Sequence, residues 1–516
     1  MTSNELQSVL SYFETRDTCF EPDFLKHKDE IDKTCHVYTH IAGFNDNVDI
    51  FGEPKAYYSD DVVYQPWFEL SMKRTDLPDV VRSTVNEQIY QFIQEYLNED
   101  DKGLKAFEKL IFNLNKIKSS FKSSYVLEGL QKYYKNQVAI NREQETIDTF
   151  IFIAKLIQDA KYIMPKNIAK LSIRKSQSVT LSQHQCAVFL ASMFLCINPF
   201  PINFHTILCE NEVKVTFLMN YFNTIKSKMP EGNVSFRRSV REAKSKEYYF
   251  AATDKLSDFY TSTTMLIEHA PGCSQMDFAN KRIGGGVLRR GAVQEEIRFL
   301  MCPEMIVSMI LNECMDPEEA IFIVGAQTYS SFSGYAKTLQ WKKLDEIDEI
   351  GNRYRDKYNR IKYELVAVDA VRYIGLPKLL QFEEFYQVRD LNKLAVGFDG
   401  NEGVPIVGGW WGCGAYAGDK QLKALLQLSV ASINKRPLIF CTFGEDELDE
   451  KLNKTVELLK KHNVTAGMLL TMLHKLEDVY RLKECDSDIA IRKKMEKKQK
   501  RIEVFDYISK CLATSK

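Results

Sequence analysis

The sequence predicts an α/β domain with a buried mixed sheet, preceded by a mainly α-helical half. Three observations carry this. Apolar residues recur at helical spacing from about residue 80 to 225; beyond that, short β-branched or apolar runs alternate with helical patterns; and KSKMPEGNV at 226–234, rich in charge, proline and glycine, separates the two textures. At 516 residues the chain is too long for one hydrophobic core, so two or more domains are expected. The expected division is 1–225 for the helical accessory part, 226–485 for the α/β catalytic domain and 486–516 for a basic helical tail.

Taken in order, residues 1–78 give no clear period. Val81, Val85, Ile89, Phe92, Ile93, Tyr96 and Leu97 then mark one helix, and Ile147, Phe150, Ile151, Ala154 and Ile157 a second. CAVFLASMFLCI at 186–197 is the most apolar window, but it is interrupted by Asn198, Pro199 and Pro201 well short of the roughly 20 residues a bilayer span needs, so a buried core helix is expected. After the linker, AIFIVG at 320–325, ELVAVDA at 364–370 and PLIFCTF at 437–443 read as buried strands. Asp419 is placed to cap a helix whose Leu422, Leu425, Leu426 and Val430 share a face, and that helix is expected to pack on the sheet. The run RKKMEKKQKR at 492–501 is a solvated helical face, a nuclear-localisation patch or a weak polyanion contact.

Composition narrows the function classes. A net charge of −1 provides no global positive field, so an anionic ligand must be held locally and a general nucleic-acid coat is excluded. The 12 cysteines contain no CxxC pair, which fits reduced thiols and no structural metal. The N-terminal segment lacks the basic and apolar parts of a signal peptide, so an intracellular protein is expected.

The chemistry concentrates in QMDFANKRIGGGVLRRGAVQEEIRFLMCPE at 275–304. Gly284, Gly285 and Gly286, with Gly291 behind them, let backbone N–H groups approach an anion, so a phosphate cradle is expected. Neither familiar phosphate loop is present: Ala292 and Val293 stand where Walker A needs Lys and Ser/Thr, and Gly284–Arg289 lacks the last glycine of GxGxxG. A helix starting near Gln294 would place Glu295 and Glu296 in its first turn, beside the loop; dipole complementation alone would also account for them. Asp277 and Asn280 are either a turn-forming pair or the groups that fix ribose hydroxyls. A glutamate at the edge of a phosphate cradle could protonate a leaving oxygen and then activate water.

GGG, a short spacer and QEE, flanked by DFAN, IRFL and CPE, resemble the signature of poly(ADP-ribose) glycohydrolases. LSQHQCAVFLASMFLCIN at 181–198, YSSFSGYA at 329–336, LVAVDA at 365–370, WGCGAYAGD at 411–419 and FCTFGEDEL at 440–448 extend the resemblance over roughly residues 150–470. It implies a macrodomain-like mixed sheet flanked by helices behind a helical accessory domain, with no metal or organic cofactor. Glu296 would be the general acid/base and Glu295 would hold a ribose hydroxyl, with Gln294 and Asn280 orienting the scissile ribose and Asp277 supporting the loop. Gly284, Gly285 and Gly286 would receive the diphosphate together with the backbone of Gly412, Cys413 and Gly414. Tyr335, Phe443 and Ile267 would form the adenosine end, and Tyr416 would stand beside the diphosphate and terminal ribose.

The resemblance further implies poly(ADP-ribose) and poly(ADP-ribosyl)ated proteins as partners, no direct need for nucleic acid, no membrane, a monomer, and a nuclear or cytoplasmic setting. Trp410 departs from it, standing where the family carries asparagine before WGCG. Stacking in place of the lost contact, or weaker binding, would follow. The Arg289–Arg290 pair would either help hold phosphates or stay solvated. Three other readings compete: a non-catalytic ADP-ribose reader, a helical scaffold with a vestigial α/β half, and a hydrolase of mono-ADP-ribose.

Overall fold

The computed structural model describes residues 35–37, 62–64, 79–116, 126–164, 167–198, 202–480 and 502–514. The basic run at 492–501 and most of residues 1–78 lie outside them. Helices α1 (Asp79–Asn98), α2 (Leu104–Lys116), α3 (Glu128–Ala139) and α4 (Glu143–Gln158) open the described chain. Ile89, Ile93 and Tyr96 of α1 are buried, as are Phe150, Ile153, Ala154 and Ile157 of α4, and Phe107 of α2 stacks on Phe150 with ring centroids 4.1 Å apart. The helical period of the sequence thus becomes an aromatic and aliphatic seam.

The apolar window forms helix α5 (Gln183–Phe194), buried along almost its whole length. Ser182 and Gln185 start it with reciprocal side-chain-to-backbone bonds, Gln185 N to Ser182 Oγ at 3.1 Å and Ser182 N to Gln185 Oε1 at 2.9 Å. No helix among the described residues is long and apolar enough to cross a membrane. Helix α6 (Glu212–Ser227) follows, with Asn211 accepting the Lys214 N–H at its N-terminus. Proline and glycine then break the chain, as read from sequence, before the strand that begins at Asn233.

The strands are β1 (Cys35–Val37), β2 (Val62–Tyr64), β3 (Asn167–Ala169), β4 (Gln177–Ser182), β5 (Asn233–Val240), β6 (Phe259–Ser262), β7 (Ser274–Asp277), β8 (Glu319–Gly325), β9 (Ser331–Ser333), β10 (Gln340–Lys342), β11 (Ile361–Ala367), β12 (Ile406–Gly409) and β13 (Leu438–Cys441). Nine build one mixed sheet in the order β1-β4-β5-β8-β11-β7-β12-β13-β6. The pairs from β4 to β11 are antiparallel, whereas β11, β7, β12, β13 and β6 run parallel. The expected break at 225/226 is crossed by this sheet: β4, from the helical half, pairs with β5 from Gln177↔Arg238 to Ser182↔Asn233.

The remaining long helices are α7 (Gln294–Met301), α8 (Glu384–Gly397), α9 (Lys420–Ile433), α10 (Asp446–Lys461), α11 (Ala466–His474) and α12 (Val504–Thr514). Asp419 caps α9 as expected, accepting the Gln421 and Leu422 N–H groups at 3.0 Å. Strand alternation divides the core. Ile321, Ile323 and Leu365 face the helical half, while Phe322 and Val366 pack with Leu394, Leu422 and Leu425 of α8 and α9. The sheet is therefore covered on both faces, which explains why β8 is buried along its whole length. Because β11, β7, β12 and β13 are parallel, the loops after them gather at one edge, the place where open α/β sheets bind ligands.

Candidate active site

Strand β7 delivers Asp277 to this edge, and the chain continues through Phe278 and Asn280 into the triple-glycine loop and α7. The Gln294 amide pins the strand end from both sides, donating to Met276 O at 3.1 Å and accepting from Phe278 N at 2.9 Å. Glu295, 3% exposed, accepts from Asn280 N at 2.9 Å and Gly284 N at 2.7 Å. Glu296, 6% exposed, accepts from Gly286 N at 2.7 Å and from Val293 N, the N-terminus of its own helix, at 2.9 Å. Two adjacent carboxylates are thus fixed by four backbone donors at the positive end of a helix.

Beneath them lies Asp277, fully buried, both of whose carboxylate oxygens have no hydrogen-bond partner among the described residues. Burial, then the Glu296 charge, pushes its carboxyl well above the usual range against a smaller opposing pull from Arg298. Glu295 is also pushed well up, by burial first and by Asp277 and Glu296 next, with its two backbone bonds opposing.

The N–H groups expected to cradle a phosphate are bonded within the protein. All three N–H groups of the triple glycine already have protein acceptors: Gly284 donates to Glu295, Gly285 to Arg282 O at 3.1 Å, and Gly286 to Glu296. What the glycines admit is the carboxylates themselves. A Cβ on Gly285, at φ +49°, would lie 2.4 Å from Glu295 Oε2 and 2.5 Å from Glu296 Oε1, and one on Gly291 would lie 2.7 Å from Glu296 Oε1. The second glycine loop does offer donors. Gly412 and Gly414 have N–H groups with no acceptor among the described residues, and a Cβ on Gly414 would meet nothing within 4 Å. The 412–416 loop after β12 thus presents backbone amides of the kind that can receive an anion. The Cys413 N–H is taken by Trp410 O at 3.0 Å, its thiol donates to Trp411 O at 3.3 Å, and burial pushes that thiol up to about 12.

Asn280 and Tyr416 join the two loops: Asn280 Nδ2 donates to the Tyr416 hydroxyl at 2.9 Å. Burial, with the Glu295 charge as the next cause, raises the Tyr416 hydroxyl. Tyr335, 53% exposed, stands over the start of α7, its hydroxyl accepting the Gln294 N–H at 3.2 Å. Phe443 is 39% exposed at φ +53° and brings its ring edge to 2.9 Å from where a Gly409 Cβ would be. Ile267 differs from both: it is 2% exposed and packs with Val407, Ile439 and Cys441, Phe278 lying against the cluster.

Trp410 does not stack in the site. Its ring packs edge-on against Phe440 at 4.9 Å and its indole N–H donates to Thr442 O at 3.1 Å, within the core. Arg290 is paired with Glu210 at 2.9 Å on the surface, in keeping with the solvated reading. Among the described residues, Glu384, His474 and Glu477 could approach one metal ion, but none belongs to this site and the Lys246 ammonium lies 2.6 Å from Glu384. Sequence reasoning missed Lys214. Fully buried on α6, it donates to four carbonyls of the glycine loop, and as a lysine in an amphipathic helix it carries no signal of that role.

Comparison with known proteins agrees with this geometry. The helical-domain profile of poly(ADP-ribose) glycohydrolase matches residues 139–238, and its macro-domain-fold profile matches 247–450. Poly(ADP-ribose) glycohydrolase 1 of Caenorhabditis elegans is 39% identical over 366 residues, covering 68% of this chain and 47% of its own length. Poly(ADP-ribose) glycohydrolase 2 of the same organism is 37% identical over 400 residues, covering 75% of this chain and 81% of its own length. Poly(ADP-ribose) glycohydrolase 1 of Arabidopsis thaliana is 28% identical over 392 residues, covering 59% of this chain and 70% of its own length. With both domains matched in order and the paired glutamates inside the macro-domain-fold segment, the chain belongs to the poly(ADP-ribose) glycohydrolase family.

Proposed function

We propose that this chain is a glycosidase that hydrolyses the ribose–ribose O-glycosidic bonds of poly(ADP-ribose), releasing ADP-ribose and leaving the unit attached to protein. The observation that carries this is the Glu296 carboxyl, fixed by Gly286 N and Val293 N beside Glu295 at the ligand edge of the sheet. The diphosphate lies on the free N–H groups of the 412–416 loop, and Tyr335 and Phe443 present exposed rings to the adenosine. Glu295 and Asn280 then face the terminal ribose.

Glu296 gives its proton to the departing ribose oxygen as the C1″–O bond breaks and an oxocarbenium-like centre forms. The carboxylate so produced takes a proton from the water that attacks that carbon, which restores the acid. Asp277 and Glu295, both pushed toward the protonated form, limit the negative charge around the reacting group. Poly(ADP-ribosyl)ated proteins are the partners in this reading, acted on by a monomer in the nucleus or cytoplasm.

The test is incubation of wild type and Glu296→Gln with purified poly(ADP-ribose), with ADP-ribose release followed by chromatography and binding by calorimetry. Release by wild type, with binding but no release by Glu296→Gln, is expected. Binding without release by either protein would overturn the reading in favour of a non-catalytic reader.

A further inference from the structure

The helical half contributes one charged group to the catalytic loop. Lys214 Nζ lies 2.8 Å from Val287 O, 2.7 Å from Arg289 O, 2.5 Å from Gly291 O and 3.4 Å from Gly286 O. The loop closes on itself around this point, with Arg289 N and Gly291 N both donating to Gly286 O, at 2.9 and 3.1 Å. An ammonium has three donors, and here the three shorter contacts accept them all.

Lys214 is itself fixed. It lies in the first turn of α6, its own N–H held by Asn211 Oδ1 at 3.0 Å, and its side chain is fully buried. Burying an ammonium is unfavourable unless it is well partnered, and a methionine or leucine would fill this volume at lower cost. Burial lowers Lys214 to about 8, with Glu296 pulling the other way. What a buried ammonium supplies that an apolar side chain does not is directional hold on several carbonyls at once. Those carbonyls belong to the turn that sets Glu296: Gly286 gives it an N–H at 2.7 Å, and a Cβ on Gly291 would meet it at 2.7 Å.

We propose that Lys214 is a positioning residue for the reaction, tying the 286–291 turn to the helical half so that the Gly286 N–H stays aimed at Glu296. The inference rests on the glycohydrolase reading above. It also gives the helical half a part in turnover, through a residue that touches no substrate.

The test is Lys214→Met in the full chain, measured by steady-state release of ADP-ribose, calorimetric binding of ADP-ribose, and amide hydrogen exchange. Misplacement of a reacting group by about 1 Å lowers turnover by on the order of 100-fold, so kcat should fall at least tenfold, with KM and the ADP-ribose Kd within about threefold of wild type. Exchange should rise over 284–293 and nowhere else. A folded variant with faster loop exchange and unchanged kcat overturns the proposal, as does a loss that tracks faster exchange throughout the sheet. Should the methionine variant not fold, Lys214→Arg retains charge and donors. It should keep the loop protected and recover turnover to within about tenfold of wild type, and a loosened loop with full turnover again overturns the proposal. Failure of the wild type to release ADP-ribose would instead sink the glycohydrolase reading, and the exchange arm would still report whether Lys214 holds the loop.

Discussion

Gly285→Ala isolates the geometry of the paired glutamates. The new Cβ would lie 2.4 Å from Glu295 Oε2 and 2.5 Å from Glu296 Oε1, where ordinary contact begins at 3.4 Å, so each carboxylate must retreat by about 1 Å. Neither can do so without lengthening its bond to Asn280 N or Gly286 N. The backbone at φ +49° adds left-handed strain of roughly 1–2 kcal/mol. Gly400→Ala is the control: its φ is +74° but a Cβ there meets nothing within 4 Å, so it carries comparable strain without the collision. Gly400→Ala should lose a few degrees of Tm from strain alone and Gly285→Ala more, whereas kcat for ADP-ribose release should drop about 100-fold in Gly285→Ala alone. Equal kcat in the two variants would refute the claim that the glycines exist to admit the carboxylates.

Asp277→Asn should change the pH dependence of stability. The raised carboxyl of Asp277 means that wild type loses stability as pH rises above the ordinary aspartate value toward the folded one, while asparagine does not titrate. The Tm of the variant relative to wild type should therefore climb between pH 4 and 8 in thermal scans, and a constant difference would contradict the assignment. Tyr335→Ala removes an exposed ring and should weaken ADP-ribose binding by about 1–3 kcal/mol, read by calorimetry, with kcat less affected. Trp410→Phe removes the bond to Thr442 O but no ligand contact, so Tm should fall by the equivalent of about 1 kcal/mol while the Kd for ADP-ribose stays within twofold. A large rise in Kd would place Trp410 back in the pocket.

What was legible in the sequence followed from local physics. Strands β8 and β13 stood out because strands buried on both faces are nearly continuously apolar, β11 through its apolar end LVA, and α9 because its cap and apolar stripe are local features. Strand β4, QSVTLS, was hidden between helical patterns, since its membership of the sheet is decided by pairing with β5 more than fifty residues away. The triple glycine correctly announced a close approach, but not by what: sequence cannot say that the visitor is the chain's own carboxylates. The backbone of Gly412, Cys413 and Gly414 was read as diphosphate contact only through family resemblance; among the described residues Gly412 N and Gly414 N have no acceptor, while Cys413 N is taken by Trp410 O. For Trp410, standing where the family carries asparagine, stacking or weaker binding was expected; the end of β12 turns its ring toward Phe440. Lys214 was invisible because nothing local distinguishes a lysine that clamps a loop from one in water.

The sheet running through 225/226 bears on how this chain can be cut. A fragment beginning after the linker would lack β4, and β5 would then present the unpaired donors and acceptors of positions 233–238 to solvent as an open edge. Such an edge is a template for any passing strand, so the isolated C-terminal piece would self-associate. The reciprocal fragment would lose the apolar face of β8 and β11 on which its helices rest. The sheet likewise joins the two family-profile segments, since β5, mostly inside the helical-domain match, pairs with β8 inside the macro-domain-fold match.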